Sequence, residues 1–231
     1  MIPDFSQFES KAGITFANKD LLKQAFTHRS YINENRGTSL EHNERLEFLG
    51  DAVLELVSTE YLYRKFPDKP EGDLTAYRSA LVNSTTLASV ATELGVNDFI
   101  LLSKGESKDT GRARQYILAD ALEAIIGAIY VDQGYDVSKT FIENNILHLI
   151  DDIVASRKWI DSKSHFQERA QEEVGVTPSY KTIKETGPDH DKRFTVGVFL
   201  GKDQVVTGEG KSKQEAEQHA AEKALAEKGW N

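Results

Sequence analysis

The chain has 231 residues, enough for one sizeable core plus a smaller unit, and this length predicts two domains. It contains no cysteine, which excludes disulfides, thiolate metal sites and a cysteine nucleophile and fits a reducing compartment. The formal net charge of −9 argues against a generic basic nucleic-acid binder, although carboxylates gathered in a metal site would inflate the acidic count while basic patches persist elsewhere.

No apolar run is long enough to span a bilayer and no basic-then-apolar leader follows Met1, so a soluble, cytoplasmic protein without membrane contact is expected. Residues 5–35 carry helical spacing, with Leu21, Leu22, Ala25 and Phe26 as a short apolar face that ends near Thr27-His28-Arg29-Ser30-Tyr31. His28 has no partner at metal-ligand spacing and reads as structural. The polar, Gly-containing stretch 33–41 reads as a loop. His42 or Asn43 then starts a helix that runs to about Phe66, where Pro67 and Pro70 stop it.

At about 100° per residue, Glu44, Glu47 and Asp51 fall on one stripe of that helix, extended by Glu55, and Leu46, Leu49, Val53 and Leu56 fall opposite. Like charges so placed repel by a few tenths of a kcal/mol per pair even when solvated. Arg45 points away from them. A divalent cation and a solvated acidic face both remain open at this point, and the helix dipole alone would favour Glu44 in a first turn. Glu71-Gly72-Asp73 opens a helix through Leu74, Tyr77, Leu81 and Val82, with Asp73 as a natural first-turn residue and Glu71 without an evident duty. Asn83 caps the next helix, which Gly95 ends. Between Ser103 and Arg114 lies a Gly-containing basic loop with Lys104, Lys108, Arg112 and Arg114, suited equally to a phosphate backbone and to solvent.

The run 118–130 is too apolar for a surface helix, yet Asp120 and Glu123 share one of its faces and Gly127 continues that face without a side chain. No Lys, Arg or His lies within the run. Buried carboxylates are costly unless paired, and the cheapest partner is a metal shared with the first acidic helix. All-oxygen donors about 4.5 Å apart along each axis suit Mg²⁺ or Mn²⁺ rather than zinc. Neither acidic helix supplies the histidine of a di-iron bundle.

Glu44-Arg45-Leu46-Glu47-Phe48-Leu49-Gly50-Asp51 with its flanking His42-Asn43 and Ala52-Val53-Leu54, the 118–130 run and Thr27-His28-Arg29-Ser30-Tyr31 together resemble bacterial ribonuclease III, three motifs in the right order over essentially the whole chain. The resemblance implies an all-α, dimerising, Mg²⁺-dependent endonuclease domain that cuts double-stranded RNA. It implies Glu47, Asp51, Asp120 and Glu123 as metal ligands, and Glu44 and Glu71 as further acidic residues of the catalytic cleft beside Asp51 and Glu123. It also implies that Phe48, outside the apolar face, inserts into a socket on a partner subunit.

Domain one is expected at 1–154 and a linker at 155–163. Over 164–231 the pattern turns to a helix at 165–174, strands at 180–185, 193–200 and 204–207, and a final helix from about Ser212 to Lys228 packed through Ala216, Ala220, Ala221, Ala224 and Leu225. This α+β order, α-β-β-β-α, resembles a double-stranded-RNA-binding domain. Lys211 and Lys213 add charge at a helix start that already attracts anions. By resemblance, Gln167 and Glu168 touch ribose hydroxyls in one minor groove, His190 reaches the next, and Lys213 holds the phosphates between. Gln214 and Glu217, where many such domains carry Lys or Arg, would weaken that grip.

These expectations combine into a homodimeric endoribonuclease that uses metal-activated water, since no histidine pair is positioned to engage the RNA 2′-OH. The products would be 5′-phosphate and 3′-hydroxyl ends with a short 3′ overhang, from ribosomal RNA precursors and other structured transcripts. Two other classes stand beside it: a double-stranded-RNA binder that does not cut, and a metal-dependent phosphohydrolase of small nucleotides.

Overall fold

The computed structural model describes residues 3–156, 159, 161–188 and 192–230, and divides into two compact units, Met1–Trp159 and Ile160–Asn231. The first unit is helical. Its N-terminal stretch, where the spacing predicts continuous helical character, is three short helices: α1 (Ser6–Ala12), α2 (Lys19–Ala25) and α3 (Arg29–Glu34). Gly13 ends the first at a φ of 66°, and the side chains of Asn18 and His28 cap the next two by accepting the N–H groups of Asp20 and Ser30. Side-chain caps of this kind offer the backbone an alternative to continuing a helix.

The central element is α4 (Glu44–Lys65), followed by α5 (Glu71–Val82), α6 (Ser84–Glu93), α7 (Arg112–Gln133), α8 (Tyr135–Asn145) and α9 (Ile150–Ala155). The contact of α4 with α7 is the most extensive between helices of this unit. Two glycines allow it: a Cβ on Gly50 would fall onto the Glu123 carbonyl oxygen, and one on Gly127 onto that of Leu46. The backbones therefore touch at the crossing.

The buried face of α4 is Leu46, Gly50, Val53, Leu54, Val57, Ser58 and Leu62. Leu56, expected on that face, is instead 58% exposed. It lies about 120° from Gly50, which the crossing with α7 makes the centre of the buried side. At its core-facing centre α7 is buried on most sides, from Ile117 to Ile129. It also starts earlier than the apolar run suggests, so Arg112 and Arg114 belong to it. The basic loop before it is braced: a 3-10 turn spans Glu106–Lys108, and the Arg114 guanidinium donates to the carbonyls of Glu106, Ser107 and Asp109.

Thr27 forms an isolated parallel bridge with Leu101. The Asn43 N–H donates to the Thr27 carbonyl at 2.9 Å, which ties the start of α4 to the same strip of backbone. At the far end of the unit Trp159, within the stretch expected as linker, packs edge-on against Tyr77 at 4.7 Å.

The second unit runs α10 (Ser162–Val174), β1 (Pro178–Thr186), β2 (Arg193–Leu200), β3 (Asp203–Gly210) and α11 (Lys213–Lys228), with an antiparallel sheet in the order β1-β2-β3. Strand β3 extends past the expected 204–207 and takes in Gly208-Glu209-Gly210. Phe166, Val198, Ala220, Ala221, Ala224 and Leu225 form the core between helices and sheet. Small alanines let α11 lie close on β2 and β3, which explains its Ala-rich face.

Candidate active site and nucleic-acid interface

The glycine crossing sets the geometry of the acidic cluster. Glu47 stands one turn before Gly50 on α4, and Glu123 one turn before Gly127 on α7, so the contact that aligns the glycines aligns the carboxylates. One carboxylate oxygen from each of Glu47, Asp120 and Glu123 lies within 4.8 Å of the others, all three residues half-buried.

Electrostatics reports the same crowding. Burial, then Asp120, Glu44 and Asp51, push the Glu47 carboxyl up to about 7. Burial, then Asp51, Asp120 and Glu47, push Glu123 up to about 8. Asp120 is raised by burial against the influence of His28, and Asp51 by burial and Glu55. Asp51, exposed and one turn further along α4, repels Glu123 without joining the tight trio. Hard carboxylate oxygens that cannot all ionise together are a donor set matched to an oxygen-preferring divalent cation.

The remaining acidic residues differ. Glu44 sits at the rim, held by Arg29 at 3.3 Å and His42 at 3.6 Å, with 44% of its side chain exposed. Glu71 is not at the cluster. It opens α5, accepts a hydrogen bond from Thr75 at 2.9 Å and lines a pocket with Thr59, Leu62, Tyr63, Leu74 and Arg78. That pocket meets α4 about 18 Å or more along the axis from Glu47.

His28, read from the sequence as structural, does cap α3, but its nearness to the carboxylates, and that of His42 to Glu44, has no signal in the sequence. The charges of Glu106, Asp120 and Glu44 act on the His28 ring without a direct contact to it, and the His42 Nδ1 lies 3.6 Å from the Glu44 carboxylate. Their approach depends on Thr27 pairing with Leu101 and Asn43, a tertiary contact with no local signature.

Phe48 is 81% exposed. Leu56 and Tyr63 continue it as an apolar stripe along α4, on the far side of the carboxylates from the core.

In the second unit Gln167 and Glu168 are exposed on α10, and His190 lies outside the described residues. Ser212 caps α11 by accepting the Glu215 N–H at 3.1 Å, while the Glu215 carboxylate accepts the Lys211 N–H at 2.7 Å. This capping box already occupies two N–H groups at the helix start. Lys213 is exposed, pairs with Glu185 at 3.0 Å and lies over the Phe194 ring. Glu217 is engaged by Lys163 at 2.6 Å, which offsets its charge. An exposed pair such as Lys213 with Glu185 contributes about 0–1 kcal/mol, so an arriving phosphate competes for that lysine cheaply.

Comparison with known proteins places these two units. The family described as Ribonuclease-III-like matches residues 18–150, and the double-stranded RNA binding motif matches residues 162–228. Ribonuclease 3 of Enterococcus faecalis is 47% identical over 220 residues, 95% of this chain and 95% of the relative. That of Geobacillus kaustophilus is 47% identical over 96% of this chain and 89% of its own. A crystal structure of the nuclease domain of ribonuclease III from Campylobacter jejuni aligns with a TM-score of 0.56 at 43% identity, covering 65% of this chain and 96% of that one. With both family descriptions matched in order and relatives alike along nearly their full length, this chain belongs to the ribonuclease III family, the double-stranded-RNA endoribonucleases.

Proposed function

We propose that this enzyme is a Mg²⁺-dependent homodimer, with Mn²⁺ able to substitute, that cuts RNA duplexes to leave 5′-phosphate and 3′-hydroxyl ends with a short 3′ overhang. Ribosomal RNA precursors and other structured transcripts are the expected substrates, in the cytoplasm; no described helix is long and apolar enough to cross a membrane. The observation that carries this reading is the convergence of Glu47, Asp120 and Glu123 in a chain that also bears an RNA-binding unit.

Glu47, Asp51, Asp120 and Glu123 would hold the cation. When bound, a divalent cation supplies a water of lowered pKa and positive charge for both oxygens of an in-line displacement. The residues themselves set the site: the backbone crossing at Gly50 and Gly127 brings together the helix turns that carry Glu47 and Glu123, and Glu44, paired with Arg29 and near His42, shapes the rim. Water is the nucleophile in this reading because the sequence offers no histidine pair positioned to engage the RNA 2′-OH.

The RNA-binding unit recognises duplex shape through Gln167, Glu168, His190, Lys211 and Lys213, with 1–154, 155–163 and 164–231 as nuclease, linker and RNA-binding segments. Dimerisation follows from the exposed stripe on α4. Leu56 lies midway between Phe48 and Tyr63, so two α4 helices crossing antiparallel about Leu56 would bring Phe48 to Tyr63 of the partner subunit, as an isologous contact requires. Beside Tyr63 is the pocket of about 470 Å³ with Leu62 and Leu74 in its wall, a socket for an aromatic ring. Glu71 at that pocket would then serve the partner's cleft and not its own.

The test is an end-labelled perfect RNA duplex incubated with Mg²⁺ or EDTA. Mg²⁺-dependent short duplexes with 5′-phosphates are expected. Cyclic phosphate ends would overturn the water mechanism, and intact but gel-shifted RNA in Mg²⁺ would make the chain a binder.

A further inference from the structure

The two helices of the second unit bury little that would fix one against the other. Helix α10 buries only Phe166 and Ala170, and α11 buries Ala216, Ala220, Ala221, Ala224 and Leu225. Apolar burial has no direction, and a row of alanine methyls offers few ridges to stop a neighbouring helix from sliding or turning.

Polar bonds supply the missing direction at the first turn of α10. The Lys163 ammonium donates to the Glu217 carboxylate at 2.6 Å, and the Gln218 amide donates to the Asp161 carboxylate at 2.7 Å. Asp161 is itself held, because it accepts the Lys163 N–H at 3.1 Å as the cap of α10 and the Ser164 hydroxyl at 2.8 Å. The Lys163 ammonium also lies over the Tyr180 ring at 5.0 Å, which ties β1 to the same point. With 34% and 26% of their side chains exposed, Lys163 and Glu217 are better shielded from solvent than Lys213 and Glu185, at 57% and 40%.

The two bonds therefore form a clasp between one turn of each helix. Gln167 stands one turn beyond Lys163 on α10, with Glu168 next to it, and Lys213 stands one turn before Glu217 on α11. Each is about 6 Å along its own helix axis from the clasp.

We propose that Asp161, Lys163, Glu217 and Gln218 are positioning residues whose clasp sets the distance from Gln167 and Glu168 to Lys213, the span over which this unit meets an RNA duplex. The inference rests on the RNA-face reading of those three residues given above and adds what holds them in place. It also reverses the sign expected of Glu217. As a bare negative charge its removal would tighten the hold on a polyanion; as part of a clasp its loss loosens it.

Binding of the full chain to an RNA duplex and to a DNA duplex of the same sequence, measured in EDTA, separates the two. Glu217→Lys should bind RNA about 5-fold more weakly than the parent despite its added positive charge. Its hold on DNA should be unchanged or stronger, because the ribose hydroxyls that α10 reads are absent there. Exchanging the pair, Lys163→Glu with Glu217→Lys, should return RNA binding to within about 2-fold of the parent. Gln218→Leu severs the other bond without altering charge and should repeat the loss on RNA alone.

Tighter or parental RNA binding by Glu217→Lys would overturn the proposal, as would an exchange that regains nothing. Equal losses on RNA and DNA would also overturn it, since they report damage to the unit as a whole. A parent that held both duplexes equally would sink the RNA-face reading, and melting would still decide the clasp. Lys163→Met and Glu217→Gln must then cost less stability together than the sum of their separate losses, and strict additivity would show that no clasp exists.

Discussion

Glu123 is half-buried where its charge is least welcome without a cation, and the effect on stability has a definite sign. Its carboxyl sits at about 8, and that of Glu47 at about 7, against an ordinary value of 4.5. A raised folded-state value means that the folded chain binds more protons than the unfolded one between about 4.5 and 8. Stability of the metal-free protein therefore falls as pH rises through that window, and the loss is complete above about 8. Thermal melts in EDTA at pH 5.5 and pH 8.5 should show a lower melting temperature at the higher pH, by roughly 3 °C for each kcal/mol lost. A melting temperature independent of pH would mean that these carboxylates are solvated. Glu123→Gln removes one of the repelling charges while keeping the shape. It should melt as high as the parent or higher in EDTA at pH 8.5, with a flatter pH profile, and lose cleavage by roughly 100-fold or more. A variant that melts several degrees lower would assign Glu123 a structural hydrogen bond instead.

At the scale of elements, the site exists because α4 and α7 touch through Gly50 and Gly127. Added methyl groups in packed interiors cost about 1–3 kcal/mol, and here the obstacle is backbone, which cannot rotate aside. Gly50→Ala and Gly127→Ala should each lower stability by at least that amount and reduce cleavage, because separating the helices separates Glu47 from Glu123. Gly72→Ala is the control: a Cβ there meets nothing within 4 Å, and a helical glycine exchanged for alanine should leave stability unchanged or raise it by about 0.5–1 kcal/mol. Equal losses at all three positions, measured by denaturant melts, would refute the crossing as the cause. Both acidic helices and the three strands were legible in the residues, α4 from its carboxylate stripe, α7 from an apolar run too long for a strand, and β2 from the alternation of Phe194, Val196, Val198 and Leu200. Leu56 was misplaced because the buried side of α4 is chosen by α7, which periodicity within α4 does not see. The breaks between α1, α2 and α3, and the approach of His28 and His42 to the carboxylates, depend on caps and on one backbone bridge to Leu101, contacts that no local pattern announces.

For the whole molecule the question is which chain completes which cleft. Glu71 stands with Leu62, Tyr63 and Leu74 beside a pocket, away from the trio of its own chain, and Phe48 is exposed beside that trio. Phe48→Ala should shift sedimentation from dimer toward monomer and reduce cleavage together, since an apolar anchor seated in a pocket carries a large share of interface energy, about 2 kcal/mol or more. The assignment of Glu71 is decided by mixing chains. In a heterodimer of Glu71→Gln with Glu123→Gln, a Glu71 that serves the partner leaves one cleft with Glu123 and Glu71 both intact and the other with neither. If Glu71 serves its own chain, both clefts are damaged. Unfolding and refolding the two inactive homodimers together should therefore regain cleavage confined to one strand of each duplex, giving nicked and not doubly cut product. No gain over the separate homodimers would return Glu71 to its own chain or to a structural role at the start of α5, where its present partner is the Thr75 hydroxyl.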